Sequence, residues 1–591
     1  MKNHSENQQV RKIILSALIP NFTAELSLSA TSIVDGIVMG NFYGSKGLAA
    51  IGLGGPILSV FTIFAGLLGT GNSVLCSRLI GQASGERCSR IFSLTVIWAF
   101  ILSAILTSIT VLGAVPIAGV FCGNGKQEML LDVAAYIRGF SLGAPFIIFR
   151  QLLMPMVNID GGNRHIHISS ILILGTDAIM DYIFSAWFDG GAFGLGLASA
   201  LSYVFGCLPL LLFFIQKKSA LKLSFRHSFS WQETQDIFKA GFPTAIKRIC
   251  NVIAPVLTNR FILAVASVGA MSALSVQVSA TRFTLCLVLA LSTTFLLIAG
   301  TFYGEADKNQ MEAGIREMFI QSMIWSIGIS ALFFIFAEPL ASIFIGKEPE
   351  IADMAVYAIR WYLIGVPFMA INQCAASYLQ AIKKIKASNW VITADRLIST
   401  VVLVYLLGWL FGAEGIFIAY GLSEILLTLT LYLILCVKNK RIVTKFSQML
   451  LLPDDFGVSD EYYLSSVFHS SDDVVGFSRS VQEFALEKGI DSRRAYFTAL
   501  CVEELSVNVT EYSLKNESQS LTVRIIIQED GNILIRLRDD GTPFDLKKQW
   551  SLAQANEDDP TKNIGIRLVF GIAKEVSYQP SFGMNNTVIV C

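Results

Sequence analysis

The pentapeptide Leu142-Gly143-Ala144-Pro145-Phe146 returns as Ile364-Gly365-Val366-Pro367-Phe368, about 220 residues further along the chain. Two more pairs repeat at nearly the same offset: Gly81-Gln82-Ala83 with Gly304-Glu305-Ala306, and Gly191-Ala192-Phe193-Gly194 with Gly412-Ala413-Glu414-Gly415. The sequence around the copies is strongly apolar. This pattern predicts a duplicated membrane protein whose halves share one orientation and are related by an axis along the membrane normal.

Apolar runs extend outward from the repeat over the first three quarters of the 591 residues. A bilayer-spanning helix needs about 20 such residues, and we predict twelve, six in each copy of the repeat. They lie near 13–38, 49–76, 91–119, 132–157, 166–188, 193–216, 240–266, 271–300, 315–337, 354–381, 388–411 and 413–437. The expected organisation is a polar terminus at 1–12, an N-lobe at 13–216, a linker at 217–239, a C-lobe at 240–437, a second linker at 438–460 and a tail at 461–591.

Composition excludes several classes of protein. The mean hydropathy is +0.58 and 15% of the residues are charged, whereas soluble domains have about 25%. The formal net charge is zero, so no bulk charge favours a nucleic acid as partner. The ten cysteines are scattered without a C-x-x-C pair, which argues against a disulfide framework or a zinc site.

The basic residues of the connecting loops predict the orientation. Most of them fall in the loops on the same side as the N-terminus: Lys2, Arg11, Lys12, Arg78, Arg87, Arg90, Arg164, Lys217, Lys218, Lys222, Arg226, Lys308, Arg316, Lys383, Lys384, Lys386, Lys438, Lys440 and Arg441. Because basic loops remain in the cytoplasm, we expect both termini there and the chain in a bacterial inner membrane.

Short motifs in the apolar part resemble the multidrug and toxin extrusion (MATE) family. They are Val34-Asp35-Gly36-Ile37-Val38-Met39-Gly40, then Asp181-Tyr182-Ile183-Phe184 before the glycine-rich 190–196, and Tyr378-Leu379-Gln380-Ala381. The resemblance covers about 10–440. It implies an antiporter that exports organic cations or drugs against H+ or Na+ as coupling ion. Two six-helix lobes with a cleft between them suit alternating access.

Ionisable groups inside a membrane are costly to bury and mark functional sites. Asp35 is our first candidate for the coupling carboxylate. Asp181 is the second, and we expect it near Asp35 inside the N-lobe. Glu25 and Arg150 complete the set of candidates for the ion or substrate path, with Arg150 as a partner of the acids.

The C-lobe departs from the family pattern. Many members have an acid eight residues after the proline that opens the seventh span, whereas here Pro243 is followed by Asn251. Coupling through the N-lobe is therefore favoured, and Glu424 in the last span is the remaining substitute.

The tail has an α+β pattern. Residues 462–468 read as a strand, Val474, Phe477, Val481 and Phe484 have helical spacing, and a second helix fits 491–513. Alternating apolar residues predict strands at 521–527 and 533–539, joined by Asp530-Gly531-Asn532, which is typical of a hairpin turn.

Three motifs follow one another along the tail: Glu504-x-x-x-Asn508, Asp539-Asp540-Gly541, and Asn563-Ile564-Gly565. Their order resembles the GHKL ATP-binding fold, in particular the anti-sigma-factor serine kinases of the RsbW and SpoIIAB kind. The resemblance implies ATP and Mg2+ as cofactors. Glu504 would be the catalytic base, Asn508 the Mg2+ ligand and Asp539 the reader of adenine, while Gly541 and Gly565 would let the backbone approach the nucleotide. The polar stretch 551–562 would be a lid, and Asn563 stands where the family usually has glycine.

Three functions remain open at this stage. The first is a cation-coupled exporter with a nucleotide-binding regulatory tail. The second is a flippase of lipid-linked or polysaccharide substrates, which shares the helical architecture; a cleft lined by basic residues would favour it. The third is a membrane-anchored serine kinase whose transporter half is a sensor. In the first case the tail would sense ATP or bind a sigma-factor or anti-anti-sigma-like protein in the cytoplasm.

Overall fold

The structure is a computed structural model of the chain. It describes residues 2–122, 127–216, 221–223, 230–344, 349–453, 455–516, 519–528, 530–543, 545–546, 550 and 564–591. Seven helices make up the first helical set: α1 (Lys2–Gly81), α2 (Gly85–Leu112), α3 (Ala114–Cys122), α4 (Gln127–Ser141), α5 (Ala144–Ile159), α6 (Asn163–Ala186) and α7 (Gly191–Ile215).

Among the described residues the second helical set has eight helices. They are α8 (Trp231–Val265), α9 (Val268–Ala280), α10 (Arg282–Gly304), α11 (Lys308–Ile335), α12 (Ala337–Phe344), α13 (Pro349–Ala381), α14 (Ile385–Thr393) and α15 (Thr400–Asn439). One π-helical turn, Ala394–Ser399, joins α14 to α15. Inside α15 the backbone breaks at Gly412, whose φ of 61° and ψ of −137° lie outside the helical region.

Ten helices of the described residues are long and apolar enough to cross a membrane, or eleven if the bent pair Met129–Ser141 and Ala144–Ile159 is one span. The sequence predicts twelve. The last two predicted spans fall within one 55-residue helical stretch, Ile385–Asn439, and Gly412 divides that stretch where the two were expected to meet. The number of spans therefore stays a prediction.

The internal repeat is visible in the backbone and in the packing. Positive φ values occur at equivalent positions of the two sets: Ala83 (56°) and Ala306 (52°), Gly161 (77°) and Lys383 (65°), Gly191 (52°) and Gly412 (61°). A Cβ atom on Gly143 would lie 2.6 Å from Ala200 Cα, and one on the equivalent Gly365 would lie 2.8 Å from Gly421 Cα. The same helix pairs thus touch at the same places in both sets, which confirms the duplication.

The two sets are packed tightly against one another at the end nearest the tail, which we call the tail side. A Cβ atom on Gly81 of α1 would lie 2.1 Å from the Thr301 carbonyl oxygen of α10, and one on Gly241 of α8 would lie 1.8 Å from the Leu67 carbonyl oxygen. Arg78 of α1 donates to the carbonyl oxygens of Gln380 (2.6 Å) and Ala381 (2.7 Å) at the end of α13. The tail side is therefore closed.

In the part of the tail that the structure describes, three helices lie on one face of a five-stranded sheet; the α+β class and the first three strands are as the sequence predicts, whereas the last two strands are not predicted by it. The helices are α16 (Val474–Glu487), α17 (Ser492–Asn508) and α18 (Ile564–Ile572), and the strands are β1 (Tyr463–Phe468), β2 (Leu521–Ile527), β3 (Ile533–Asp539), β4 (Glu575–Tyr578) and β5 (Asn585–Val590). The strand order is β1-β2-β3-β5-β4, with all neighbours antiparallel. A core of tail residues alone fills the space between sheet and helices.

The other face of the sheet lies against the tail side of both helical sets. The N-terminal residues belong to this contact: α1 begins at Lys2, so that the terminus predicted as a polar segment is helical, and Gln9 is buried. The linker after α15 also packs inward, because Tyr378 donates to the Leu450 carbonyl oxygen at 2.5 Å and Phe456 stacks on Tyr303.

Candidate functional site

Three aspartates meet inside the first helical set. Asp35 comes from the middle of α1, whereas Asp177 and Asp181 come from α6. A separation of four residues puts the latter two on one face of their helix. One carboxylate oxygen from each of the three lies within 4.8 Å of the others, so the structure brings the two predicted acids together and adds a third.

The aspartates are shielded from water and have few partners. Asp177 and Asp181 are 1% and 0% exposed, and Asp35 is half-buried. Among the described residues none donates a hydrogen bond to either oxygen of Asp181, to Asp35 Oδ1 or to Asp177 Oδ2. Three negative charges this close in a low dielectric repel one another. The arrangement can accordingly take up protons or a cation.

Polar groups of α7 border the aspartates. Ser199 and Ser202 lie within hydrogen-bonding reach of Asp177. Tyr203 is within electrostatic range of both Asp177 and Arg150. Arg150 is 4% exposed, and its Nε has no hydrogen-bond partner among the described residues. The predicted arginine and the acids are therefore both near Tyr203.

Glu25 stands apart from the three aspartates. Its carbonyl oxygen accepts from Cys286 Sγ of α10 at 3.6 Å, and its carboxylate interacts with Lys247 of α8. The structure thus places Glu25 at the boundary with the second helical set. Its role on the ion or substrate path stays a prediction.

Two buried acids of the second set, Glu424 and Asp395, have amide or guanidinium partners. Glu424 Oε2 accepts from Asn372 Nδ2 at 2.9 Å. Asp395 accepts from Gln373, and its Oδ2 lies 3.1 Å from Arg396 Nε. A carboxylate that is already paired has less need of an added cation. The unpaired cluster of the first set is the stronger candidate site.

A second candidate site lies in the tail, between α17 and α18. Glu504 and Asn508 are half-buried on one face of α17. Gly565 in the first turn of α18 faces them so closely that a Cβ atom there would lie 2.2 Å from Glu504 Oε2. A side chain at this position would push the two helices apart, so the glycine keeps the backbone close to the acid.

The turn after β3 completes this second site. Asp539 Oδ1 accepts from Asn585 Nδ2 (2.7 Å), Ser513 Oγ (2.9 Å) and the Gly541 backbone N–H (3.0 Å). Burial raises the pKa of Asp539 above its ordinary value, although these three hydrogen bonds act in the opposite direction. A Cβ atom on Gly541 would lie 2.3 Å from Ser513 Oγ. The DDG turn is therefore anchored to the residues that follow α17.

The residues present fit a nucleotide. The buried carboxylate of Asp539 can accept a hydrogen bond from the amino group of adenine. The two glycines leave room for the backbone to approach the nucleotide closely, and Asn508 offers an oxygen ligand for Mg2+. The Asn563 position and the predicted lid 551–562 lie outside the described residues.

Three residues of the candidate sites are not singled out by the sequence motifs. Asp177 is an acid in an apolar segment to which no motif assigns a role, although its spacing of four from Asp181 is a usable signal. Ser513 and Asn585 hold Asp539 from positions 26 and 46 residues away. Such long-range contacts leave no local pattern, and only the fold reveals them.

Comparison with known families divides the chain in the same way. The model of the MatE family matches residues 20–183 and 243–434. A model described as a histidine kinase-like ATPase domain matches residues 470–591.

Known proteins similar to the chain resemble its helical part. The multidrug export protein MepA of Staphylococcus saprophyticus is 24% identical over 433 residues, which cover 71% of this chain and 93% of MepA. MepA of Staphylococcus aureus NCTC 8325 is 22% identical over 453 residues, covering 75% and 98%.

Solved structures show the same fold. An outward-facing multidrug resistance MATE family transporter of the MOP superfamily aligns with a TM-score of 0.66 at 20% identity, covering 71% of this chain and 94% of that one. The MATE transporter VcmN of Vibrio cholerae in its bent form aligns with a TM-score of 0.65 at 18% identity, covering 72% and 96%.

Proposed function

The chain belongs to the MatE family, whose model matches more than half of its residues, and from this premise we propose that its helical part is a cation-coupled antiporter. The observation that carries the proposal is the cluster of Asp35, Asp177 and Asp181, with carboxylate oxygens within 4.8 Å of one another. A cluster of like charges exchanges protons or Na+ when its access to water changes. An antiporter needs such a site.

The two helical sets would act as lobes that rock against one another. The duplication and the closed tail side support this proposal, because alternating access requires contacts between lobes that can form on one side and open on the other. Arg150, which like the acids is near Tyr203, would balance their charge when the cation leaves. Glu25, next to Lys247, would line the path between the lobes.

The substrate would be a small organic compound, predominantly cationic. Two observations support this. The similar MepA proteins are multidrug exporters by name, and the carboxylate cluster of Asp35, Asp177 and Asp181 in the first set is acidic. The same observations favour an antiporter over a flippase of lipid-linked or polysaccharide substrates.

The orientation follows from the basic loops. We propose that both termini lie in the cytoplasm of a bacterial cell, because the positively charged loops lie on their side. The tail side is then the cytoplasmic side, and the tail has access to cytoplasmic ATP.

In the tail we propose an ATP site with regulatory function. Asp539 would accept the adenine amino group, Gly541 and Gly565 would admit the base and phosphates, and Asn508 would hold Mg2+. When bound, ATP would supply a phosphoryl group and Mg2+ would neutralise phosphate charge. The match to the histidine kinase-like ATPase domain supports nucleotide binding.

A second candidate function for the tail is protein phosphorylation on serine or threonine. The observation that favours it is Glu504, a half-buried carboxylate beside Gly565, where a general base would act. The protein substrate would be a sigma-factor or anti-anti-sigma-like protein. The full chain incubated with labelled ATP and a purified anti-anti-sigma protein should transfer label, and Glu504→Ala should not. Equal labelling by both proteins would contradict this function.

Transport without ATP tests the antiporter directly. Purified protein in liposomes receives an imposed pH or Na+ gradient, and uptake of a fluorescent cationic dye is followed. We expect gradient-driven transport by the wild type and loss of at least ninety per cent of the rate in Asp35→Asn. Asp353→Asn is the matched control, because Asp353 is an exposed acid distant from the cluster in sequence. Undiminished transport by Asp35→Asn would overturn coupling through this cluster.

A further inference from the structure

The two faces of the tail's sheet differ in chemistry. Successive side chains of a strand point to opposite faces, so Arg524 of β2 and Arg536 and Arg538 of β3 lie on the face away from helices α16–α18. Each of the three side chains is at most 4% exposed. The tail-side ends of the helical sets cover these three side chains. The cations are therefore removed from water by the docking of the tail on the helical sets.

Glu305, in the loop between α10 and α11, receives all three cations. Arg524 Nη1 lies 3.4 Å from Oε2, Arg536 Nη1 lies 3.0 Å from Oε1, and Arg538 Nη2 also bonds to Oε1. Asp307 of the same loop lies 3.4 Å from Arg524. The second helical set therefore holds the sheet by two carboxylates.

Arg536 also reaches the first helical set. Its Nη2 donates to the carbonyl oxygen of Gly81 at 2.9 Å, while its Nη1 pairs with Glu305. Gly81 and Glu305 belong to loops that the internal repeat makes equivalent, one in each lobe. A single guanidinium group thus ties the two lobes together at their tail side.

Further contacts bind the tail to the first set. The Phe582 backbone N–H donates to the Ile159 carbonyl oxygen at 2.6 Å, and Ser16 Oγ of α1 donates to the Phe582 carbonyl oxygen at 2.9 Å. Thr522 Oγ1 of β2 donates to Gln9 Oε1 of α1 at 2.5 Å. Both lobes are engaged, and neither holds the tail alone.

The ionic part of this contact is unbalanced. Three guanidinium groups face two carboxylates, and Nε and Nη1 of Arg538 have no hydrogen-bond partner among the described residues. Burial lowers the pKa of Arg538, although the nearby carboxylate of Glu305 acts to raise it. Burial also acts to raise the pKa of Glu305, but the three arginines outweigh it and hold that pKa below its usual value. The free energy of a buried charge cluster of this kind is little lower than that of the same charges in water. The contact can therefore be released.

We propose that the arginine face of the tail is a clamp across both lobes, which holds the tail side of the transporter shut, and that the nucleotide site governs its grip. Opening of the tail side requires the Gly81 and Glu305 loops to part, and Arg536 cannot follow both. The clamp must release one loop whenever the tail side opens. The clamp across the lobes is inferred from the contacts described above, and its control by nucleotide rests on the proposed ATP site.

The link to the nucleotide site is the DDG turn. Asp540 Oδ2 lies 2.6 Å from Lys12 Nζ of α1, and the adjacent Asp539 is the expected adenine reader. Asp540 Oδ1 accepts from the Ser520 backbone N–H at 2.7 Å, at the start of β2. A nucleotide seated on this turn therefore acts on the residue that holds α1.

Glu305→Gln is the decisive variant. The repeat-equivalent loop carries Gln82 at the same position, so a glutamine is compatible with the conformation of this loop. The core of the tail consists of tail residues only, so loss of Glu305 releases the sheet without unfolding it. Spin labels on introduced cysteines at 164 and 386, exposed repeat-equivalent positions of the two sets, report the distance between the lobes in the full chain. Cys122 and Cys436 are first replaced by serine.

The wild type should give one dominant short distance in detergent or nanodiscs. In Glu305→Gln we expect a second, longer distance in at least a tenth of the molecules, and Lys12→Ala should give a smaller shift in the same direction. Arg360→Ala is the control, because it breaks an exposed pair with Glu338 at 3.1 Å and leaves the tail contacts intact. Glu305→Gln and wild-type distributions that superimpose would overturn the clamp.

Addition of Mg-ATP to the same samples tests the control of the clamp by nucleotide. ATP should change the ratio of the two distances in the wild type at least twofold, and it should have no effect in Glu305→Gln. ATP binding is measured in parallel by displacement of a fluorescent nucleotide. No binding would mean that the proposed ATP site fails, whereas binding without any change of distance would overturn the link between nucleotide and clamp.

Discussion

At the scale of single residues, Asp177 should matter as much as the acids that the sequence singles out. Asp177→Asn removes one of three charges from the cluster and keeps the size of the side chain. Because the remaining pair repels less, the cluster should bind its cation more weakly and gradient-driven dye transport should fall at least tenfold. Asp353→Asn should transport like the wild type. Normal coupling in Asp177→Asn would reduce the site to Asp35 and Asp181.

Asp539 can be tested in the same way with nucleotide. Asp539→Asn replaces an acceptor by a group that presents a donor to the adenine amino group. Loss of a hydrogen bond to a charged group costs about 1.5–3 kcal/mol, so ATP affinity measured by nucleotide displacement should fall about 10- to 100-fold. Asp530→Asn in the exposed hairpin turn should bind like the wild type. Equal affinities for the two variants would exclude Asp539 from the site.

Individual residues also show how far the sequence leads. Asp35, Asp181, Glu504 and Asp539 can be found from local motifs because their neighbours in sequence carry the pattern. Arg536 cannot, because its partners Gly81 and Glu305 lie hundreds of residues away. The three arginines alternate with apolar residues as on any exposed sheet face, so the sequence indicates a polar surface and says nothing of what covers it.

At the scale of elements, the crossing of α1 and α8 depends on a glycine. In Gly241→Ala the new Cβ atom would meet the Leu67 carbonyl oxygen at 1.8 Å, and overpacking of this kind costs about 1–3 kcal/mol. The melting temperature of the purified protein should fall. Gly328→Ala on α11 is the matched control, since no atom lies within 4 Å of its added Cβ. If the melting temperature fell equally in both variants, the cause would be the loss of helix bending at a glycine and not the contact with Leu67.

The docking of the sheet on the α10–α11 loop should weaken at acid pH. The arginines hold the pKa of Glu305 below its ordinary value of 4.5. A lowered carboxylate pKa stabilises the docked state above the ordinary value, and that stabilisation is lost as the pH falls through the lowered pKa. The groups around Glu305 are Arg524, Arg536, Arg538 and Asp307. The distance between labels at 164 and 386 should therefore stay constant from pH 8 to 5 and lengthen below about 4.5.

Glu305→Gln provides the reference for this pH profile. It lacks the titrating carboxylate, so its distance distribution should not change with the same transition. A transition of equal size in both proteins would assign the effect to another group.

The strands β1 to β3 of the tail are predictable because period-two alternation and turn residues are local signals, whereas β4 and β5 are not predicted from the sequence. The helical part was harder to divide. The predicted eleventh and twelfth spans are separated by the torsion angles of one residue, Gly412, and composition cannot report a torsion angle. The N-terminal turns of α1 are polar in sequence, and Gln9 and Lys12 there contact the tail, a long-range contact that local patterns do not encode.

At the scale of the whole molecule, linkage imposes a test of the coupling between tail and transporter. If nucleotide changes the equilibrium between closed and open tail sides by some factor, opening must change nucleotide affinity by the same factor. The ATP affinity of Glu305→Gln should therefore differ from that of the wild type by the factor by which ATP shifts the wild-type distances. Displacement titrations on both proteins measure it. Identical affinities alongside an ATP-dependent shift would violate reciprocity and assign the shift to a second nucleotide site.

The pseudo-symmetry of the transporter raises a problem of orientation that two residues resolve. A body resting on the symmetry axis meets two similar loops, and a half-turn about that axis would exchange them. The loops differ where Gln82 and Ser84 in one correspond to Glu305 and Asp307 in the other, and only the two carboxylates attract the three cations. These broken equivalences select one of two seatings for the tail. Duplication would have supplied the platform, and the later divergence of two positions gave it a direction.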